Sequence, residues 1–122
     1  MTRARLETGR EGENLAVRFL LKEGYTVLER NFKCPFGEMD IVARQGDSLV
    51  FVEVRSRRSG SFGDPLESIG LVKQKKLSRI ALCYLQKHRL EGCRARFDVL
   101  GLKLKPEGHE IEIIRDAFDV IS

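Results

Sequence analysis

The stretch GEMDIVARQGDSLVFVEVRSR (37–57) decides the fold. It holds two runs rich in Val, Ile and Phe separated by QGD (45–47), so it predicts two strands, Glu38–Arg44 and Ser48–Arg57, joined as an antiparallel hairpin. Side chains alternate along a strand. Val50, Val52 and Val54 then share one face, and Leu49, Phe51, Glu53, Arg55 and Arg57 share the other. By the same rule Glu38 and Asp40 share one face of the first strand, and Met39, Ile41 and Ala43 the opposite one. Glu53 stands among Phe51, Val52 and Val54, so its carboxylate is expected to be partly buried and to need a partner. The hairpin makes a meeting of Glu53 with Asp40 possible. Two carboxylates held together repel unless a cation intervenes, and hard oxygen ligands favour Mg²⁺ or Mn²⁺. The competing reading is an ion pair between Glu53 and Arg55, or with an arginine on a neighbouring strand.

Working outward, Leu15, Ala16, Phe19 and Leu20 recur at helical spacing and predict a helix over about 9–23, stopped by Gly24. Tyr25–Phe32 reads as a strand and CPFG (34–37) as a turn. After the hairpin, SGSFGD (59–64) is expected to be a loop, and Phe62 in it to pack against its own domain rather than to stack on an opened base. Asp64-Pro65-Leu66-Glu67 has the form of a helix start, with Gly70 ending or kinking that short helix. A longer helix follows, in which Leu77, Ile80, Ala81, Tyr84 and Leu85 keep a helical stripe. Ala95–Leu104 and Glu110–Arg115 are the last strands, around KPEGH (105–109). With 122 residues, no repeat and no low-complexity segment, the chain reads as a single α/β domain over 1–122.

Charge is unevenly placed. Between residues 54 and 79 stand Arg55, Arg57, Arg58, Lys73, Lys75, Lys76 and Arg79 against Asp64 and Glu67, while the whole chain carries a net charge of only +4. All the positive excess lies in that stretch, which suits a phosphate backbone as well as a solvated surface. Lys73 precedes Leu77 by four residues, so it joins the core-facing stripe and can reach toward the sheet. Lys75, Lys76 and Arg79 are expected to point elsewhere, along a DNA backbone or into solvent. Cys34, Cys83 and Cys93 form no C-x-x-C pair, and His88 and His109 stand alone, which argues against zinc and for reduced thiols. No apolar run approaches the ~20 residues of a membrane span. MTRARLETGREGEN (1–14) has no apolar signal segment, so a cytoplasmic protein with no membrane partner is expected.

The 37–57 stretch resembles the core of the PD-(D/E)XK nuclease superfamily, in which an acid precedes a hairpin and E-x-K lies on the next strand. More closely, the chain resembles a bacterial family of small uncharacterised proteins (UPF0102-like) related to archaeal Holliday-junction resolvases. The match runs through G-x-x-G-E (9–13), Gly24, Asn31, G-E-x-D (37–40), F-V-E-V-(K/R)-x-R (51–57) and F-G (62–63). It continues through Lys73, Ala81, Tyr84-Leu85, R-F-D (96–98) and A-F (117–118). The resemblance implies a restriction-endonuclease-like, resolvase-like α/β fold: a mixed central sheet of about five strands flanked by helices. It implies a metal-dependent endodeoxyribonuclease acting on branched or distorted DNA, with Mg²⁺ or Mn²⁺ as cofactor and a symmetric homodimer as the assembly. It places Asp40, Glu53, Glu13 and the Val54 carbonyl at the metal, and Arg57, Arg58, Lys73, Lys76 and Arg79 on nucleic acid. Glu38 matches a recurrent family acid, as metal-site residue or as structural hydrogen-bond or ion-pair partner. Arg55 departs from the pattern, since lysine is usual there. Arginine stays charged and cannot take a proton from water, although it grips phosphate well. Three functions therefore stand at this stage: an endonuclease, a DNA-binding module of the same fold with a vestigial site, and a structural adaptor.

Overall fold

The computed structural model describes residues 3–58 and 69–119 of the chain, without the side chains of 3–9 and 58. The SGSFGD loop with Phe62, the Asp64–Glu67 helix start and the side chain of Arg58 lie outside the described residues. The elements run α1 (Arg3–Lys22), β1 (Thr26–Cys34), β2 (Gly37–Gln45), β3 (Ser48–Arg58), α2 (Leu71–Lys87), β4 (Arg94–Leu104) and β5 (His109–Phe118). The strands form one sheet in the order β1-β2-β3-β4-β5. The β3–β4 pair is parallel and the other three are antiparallel. A parallel neighbour needs a crossover, and α2 lies between β3 and β4 in the chain. This is the expected mixed five-strand sheet flanked by helices. No helix among the described residues is long and apolar enough to cross a membrane.

Strand alternation builds two cores, one per face of the sheet. Ala16 and Leu20 of α1 pack with Ile41, Ala43, Val50, Val52, Leu100 and Leu102. Leu77, Ile80, Ala81, Tyr84 and Leu85 of α2 pack with Phe32, Met39, Val42, Leu49, Phe51, Phe97 and Val99. The expected division of β3 holds: Val50 and Val52 face α1, and Leu49 and Phe51 face α2. The division expected for β2 does not. Met39 belongs to the α2 core and Ile41 to the α1 core, so the alternation breaks at Asp40 between them. Across from this break, on β1, Asn31 adopts φ 55, a left-handed conformation that Asn tolerates better than most residues.

Element boundaries differ where caps and bulges intervene. Helix α1 begins six residues before the expected Gly9, at Arg3. Gly70 is the extended residue ahead of α2, and the short helix it was expected to end lies outside the described residues. Strand β5 continues to Phe118 because a bulge opposite Asp98 keeps it on β4, and Phe118 stacks on Phe97 with centroids 4.5 Å apart.

That bulge is organised by a buried charge. Asp98 is fully buried and accepts hydrogen bonds from Tyr25 Oη at 2.6 Å, Arg96 Nε at 3.0 Å, Arg96 Nη2 at 3.2 Å and the Asp116 amide at 2.9 Å. The Arg115 Nε donates in turn to Tyr25 Oη at 3.2 Å, and Arg115 also reaches Glu23 at the end of α1. Asp98 thus fastens β4, β5, β1 and α1 together, which gives the R-F-D motif a structural role. Asp98→Ala leaves the buried Tyr25 phenol and the Asp116 amide without their acceptor and the half-buried Arg96 without its counter-charge. Chemical denaturation is expected to show a loss of about 3–5 kcal/mol, with Tyr25→Phe costing about 1–2 kcal/mol, the scale of one buried hydrogen bond. A loss from Asp98→Ala no larger than that from Tyr25→Phe would refute the role.

Candidate acidic site

Two acidic side chains, Asp40 and Glu53, come together where β2 leaves β3, and a third, Glu13 of α1, is near enough for its charge to act on Asp40. Pairing between these strands runs from Gln45↔Ser48 to Ile41↔Val52. Beyond it, the Val54 amide donates to Asp40 Oδ2 at 2.7 Å, so a carboxylate takes the place of a backbone acceptor. Glu53, the residue before, is 8% exposed, and its carboxyl is close enough to Asp40 to raise that residue's pKa. The two carboxyls therefore meet, as the hairpin allowed. Burial pushes Asp40 up to about 8, the hydrogen bond and charge of Glu53 add to the shift, the Val54 amide opposes it, and the charge of Glu13 adds a little more. A buried acid pair of this kind carries one negative charge fewer than its two carboxyls would in water.

Glu13 comes from α1 because the helix approaches the sheet closely there. A Cβ on Gly12 would lie 2.8 Å from Ser56 Oγ and 3.1 Å from Leu102 Cδ2, so a larger residue there would have to displace those side chains. Glu13 Oε1 is held by Arg30 Nε at 2.8 Å and by Asn31 Nδ2 at 2.9 Å. The left-handed Asn31 lets two successive β1 side chains reach the same helix. Asn31 belongs to the matched motif, but its role depends on a backbone angle that has no periodic trace in sequence.

Lys73 extends from the first turn of α2, and its Nζ lies 2.7 Å from Glu53 Oε2. The expectation that this side chain reaches the sheet is met, and its partner there is the acid itself. For the ion pair of Glu53 the expectation named an arginine; the structure supplies a lysine from the helix facing that side of the strand. Arg55 and Arg57 follow on the same strand face, both partly buried, and Arg55 is held by an interaction of its own. Arg57 Nε is buried with no acceptor among the described residues. Glu38 is exposed and paired in register with Lys33. Lys76 and Arg79 are exposed one and two turns further along α2.

The donor chemistry fits a hard divalent cation in part. Asp40 and Glu53 offer carboxylate oxygens in mutual contact, and a cation would relieve the repulsion that now keeps a proton there. The third acid is less available, since Glu13 is tied to Arg30 and Asn31. As the side chains stand, no three acidic, histidine or cysteine groups among the described residues are placed to enclose an ion. Asp40, Glu53 and the Val54 carbonyl remain the residues able to hold one.

The model of uncharacterised protein family UPF0102 matches residues 12–102. That span takes in Glu13, Asp40, Glu53 and Lys73. A UPF0102 protein of Syntrophus aciditrophicus is 52% identical over 115 residues, covering 94% of this chain and 91% of that protein. Another, from Caldicellulosiruptor saccharolyticus, is 46% identical over 114 residues, covering 92% and 97%. Among solved structures, that of Pyrococcus furiosus SfsA in complex with Ca²⁺ aligns with a TM-score of 0.40 and 16% identity. The alignment covers 93% of this chain and 63% of that one, under two thirds of its length. A likeness so distant carries neither fold nor activity.

The raised Asp40 has a signed consequence for stability. From its ordinary value of 3.8 up to about 8, the unfolded chain has lost a proton that the folded chain keeps. The unfolded state binds fewer protons in that window, so the contribution of Asp40 to stability falls as pH rises through it. Asp40→Asn keeps an oxygen for the Val54 amide and an NH₂ donor for Glu53, and cannot ionise. Thermal melts of the metal-free protein are expected to show Asp40→Asn gaining on wild type as pH rises from 4 to 8, by about 4 °C or more at the upper end, the effect of ~1 kcal/mol in a domain this size. A difference in Tm that does not change with pH would refute it.

Proposed function

The chain belongs to uncharacterised protein family UPF0102, and from that premise we propose that it is a divalent-metal-dependent endonuclease that hydrolyses phosphodiesters in branched or distorted DNA. The observation that carries this is the closeness of the Asp40 and Glu53 carboxyls, Glu53 buried and Asp40 half-buried, with Asp40 raised to about 8. A fold does not keep two acids in that state without cost, and perturbed groups of this kind mark functional sites.

In this reading Asp40 and Glu53, with the Val54 carbonyl, hold a Mg²⁺ or Mn²⁺ ion, and the Val54 amide fixes the Asp40 carboxylate in place. When bound, such an ion supplies Lewis-acid charge at the scissile phosphate and a water of lowered pKa. Lys73 brings an ammonium to the same acids, where an incoming phosphate meets it and its charge is neutralised. Arg55, on the strand face of Glu53, stabilises charge on the phosphate and takes no proton. Arg57, partly buried on the same strand face, adds a second guanidinium for the phosphate. Glu13, oriented by Arg30 and Asn31, completes the negative field that selects a cation over a neutral group. Lys76, Arg79 and Arg58 contribute phosphate contacts farther along the strand, and a two-fold dimer would address two strands of a junction together.

One observation favours a second reading, a module that binds DNA without cutting it. Two of the three acids already have cationic partners, Glu13 with Arg30 and Glu53 with Lys73.

Incubation of junction, flap and duplex DNA with the protein separates the two. The endonuclease is expected to cut only with Mg²⁺ or Mn²⁺ present, with Asp40→Ala and Glu53→Ala abolishing cutting and Lys73→Ala lowering the rate about 10²-fold. Intact DNA under both metals, with affinity unchanged in the two acid variants and declining with salt, would replace the endonuclease with the binding module.

A further inference from the structure

The β1–β2 turn and the start of α2 enclose a groove that the acid pair does not use. Phe36, Val72, Lys75, Lys76 and Arg79 line it, around a space of ≈ 390 Å³. Pockets of that size take small organic groups. Phe36 is 49% exposed and Val72 85% exposed. The Arg79 guanidinium carbon lies 6.0 Å from the centroid of the Phe36 ring. An apolar docking face for another protein is depleted in lysine at its centre, and this groove has two lysines and an arginine. An exposed ring beside three cations combines a stacking surface with phosphate contacts.

The turn is held rather than loose. Cys34 pairs with Gly37, leaving only Pro35 and Phe36 between the strands. Gly37 has φ 141, and a Cβ there would come within 2.9 Å of Lys76 Cε and 3.2 Å of Ile80 Cδ1. The Lys76 stem therefore lies against the Gly37 backbone and fixes the turn to α2. The groove is also near the acids. Gly37 precedes Asp40 by three residues of strand, about 10 Å. Lys73 and Lys76 are about one helical turn apart, ~4.5 Å along α2. Groove and acid pair thus lie about 10 Å apart along β2.

We propose that this groove binds an unpaired nucleotide, its base stacked on Phe36 and its flanking phosphates on Lys75, Lys76 and Arg79, so that the protein selects strands with single-stranded character. In duplex DNA both faces of a base are already stacked, and Phe36 gains nothing there. The inference rests on the nucleic-acid reading of the neighbouring acids for the class of polymer, and is independent of whether that polymer is cut.

The chain contains no tryptophan, so Phe36→Trp places a single reporter in the groove. Titration in chelator, where no metal-dependent cleavage occurs, is expected to quench its fluorescence with a short single-stranded oligodeoxynucleotide. An abasic strand of equal length and blunt duplex are expected to leave it unchanged. By anisotropy, Phe36→Ala is expected to weaken single-strand binding about tenfold, the loss of one stacked base, and to leave duplex binding unaltered. Arg79→Ala provides a second variant, weakening both and flattening the salt dependence. Circular dichroism confirms that each variant is folded. Equal quenching by the abasic strand, equal losses on single strand and duplex, or no binding of single strands would each overturn the proposal. Quenching as expected, together with uncut DNA in the metal panel, would overturn the hydrolytic reading alone.

Discussion

The hydrogen bond from the Val54 amide to Asp40 stands at the point where two otherwise regular strands part. Up to Ile41↔Val52 the β2–β3 ladder satisfies its own backbone groups. One step on, a carboxylate accepts an amide proton, and β2 shifts parity so that Met39 and Ile41 enter opposite cores. Both anchors are fully buried, so the break is held from the two faces of the sheet at once. Its effect is to aim Asp40 across the gap at Glu53 instead of up or down from the sheet. Left-handed Asn31 and the close approach at Gly12 then add Glu13 from the other side. The meeting of Asp40 with Glu53, and the nearness of Glu13, follow from these irregularities.

The molecule holds a second buried carboxylate, and the contrast is informative. Asp98 receives donors from Tyr25, from two nitrogens of Arg96 and from the Asp116 amide, which is what a structural charge in a low-dielectric interior requires. Asp40 has one backbone donor and a second acid for a neighbour, and its carboxyl retains a proton to near pH 8. Asp98 is the more deeply buried of the two and is also the better compensated. The fold could satisfy a charge fully at Asp98, so the shortfall at Asp40 and Glu53 is local to that place.

Helix α2 supplies the opposite sign. Its inner stripe closes the core over Phe32, Phe51 and Phe97, with Tyr84 meeting the first two rings edge-on. Its first turn carries Lys73 to Glu53, and its outer side carries Lys75, Lys76 and Arg79 beside Phe36. The Asp40 and Glu53 acids of the sheet therefore adjoin the lysines and arginine of α2. Phosphodiester chemistry uses that division, with cation ligands at one side and backbone contacts running away from it.

Periodicity made the larger features legible. The alternation of β3, the helical stripes through Leu20 and through Leu77–Leu85, and the short turns at 35–36 and 46–47 determine a five-strand α/β domain, because apolar period follows directly from which side chains must leave water. The position of Lys73 on the stripe and the concentration of basic residues between 54 and 79 were legible for the same reason. The parity break at Asp40, the partners of Glu13, the four-way use of Asp98 and the groove at Phe36 were decided only in three dimensions. Each depends on a bulge, a left-handed residue or a contact between elements distant in the chain, and such contacts leave no period behind. Sequence therefore determined which acids and bases lie on which element; tertiary packing decided which of them meet, and which are left undercompensated.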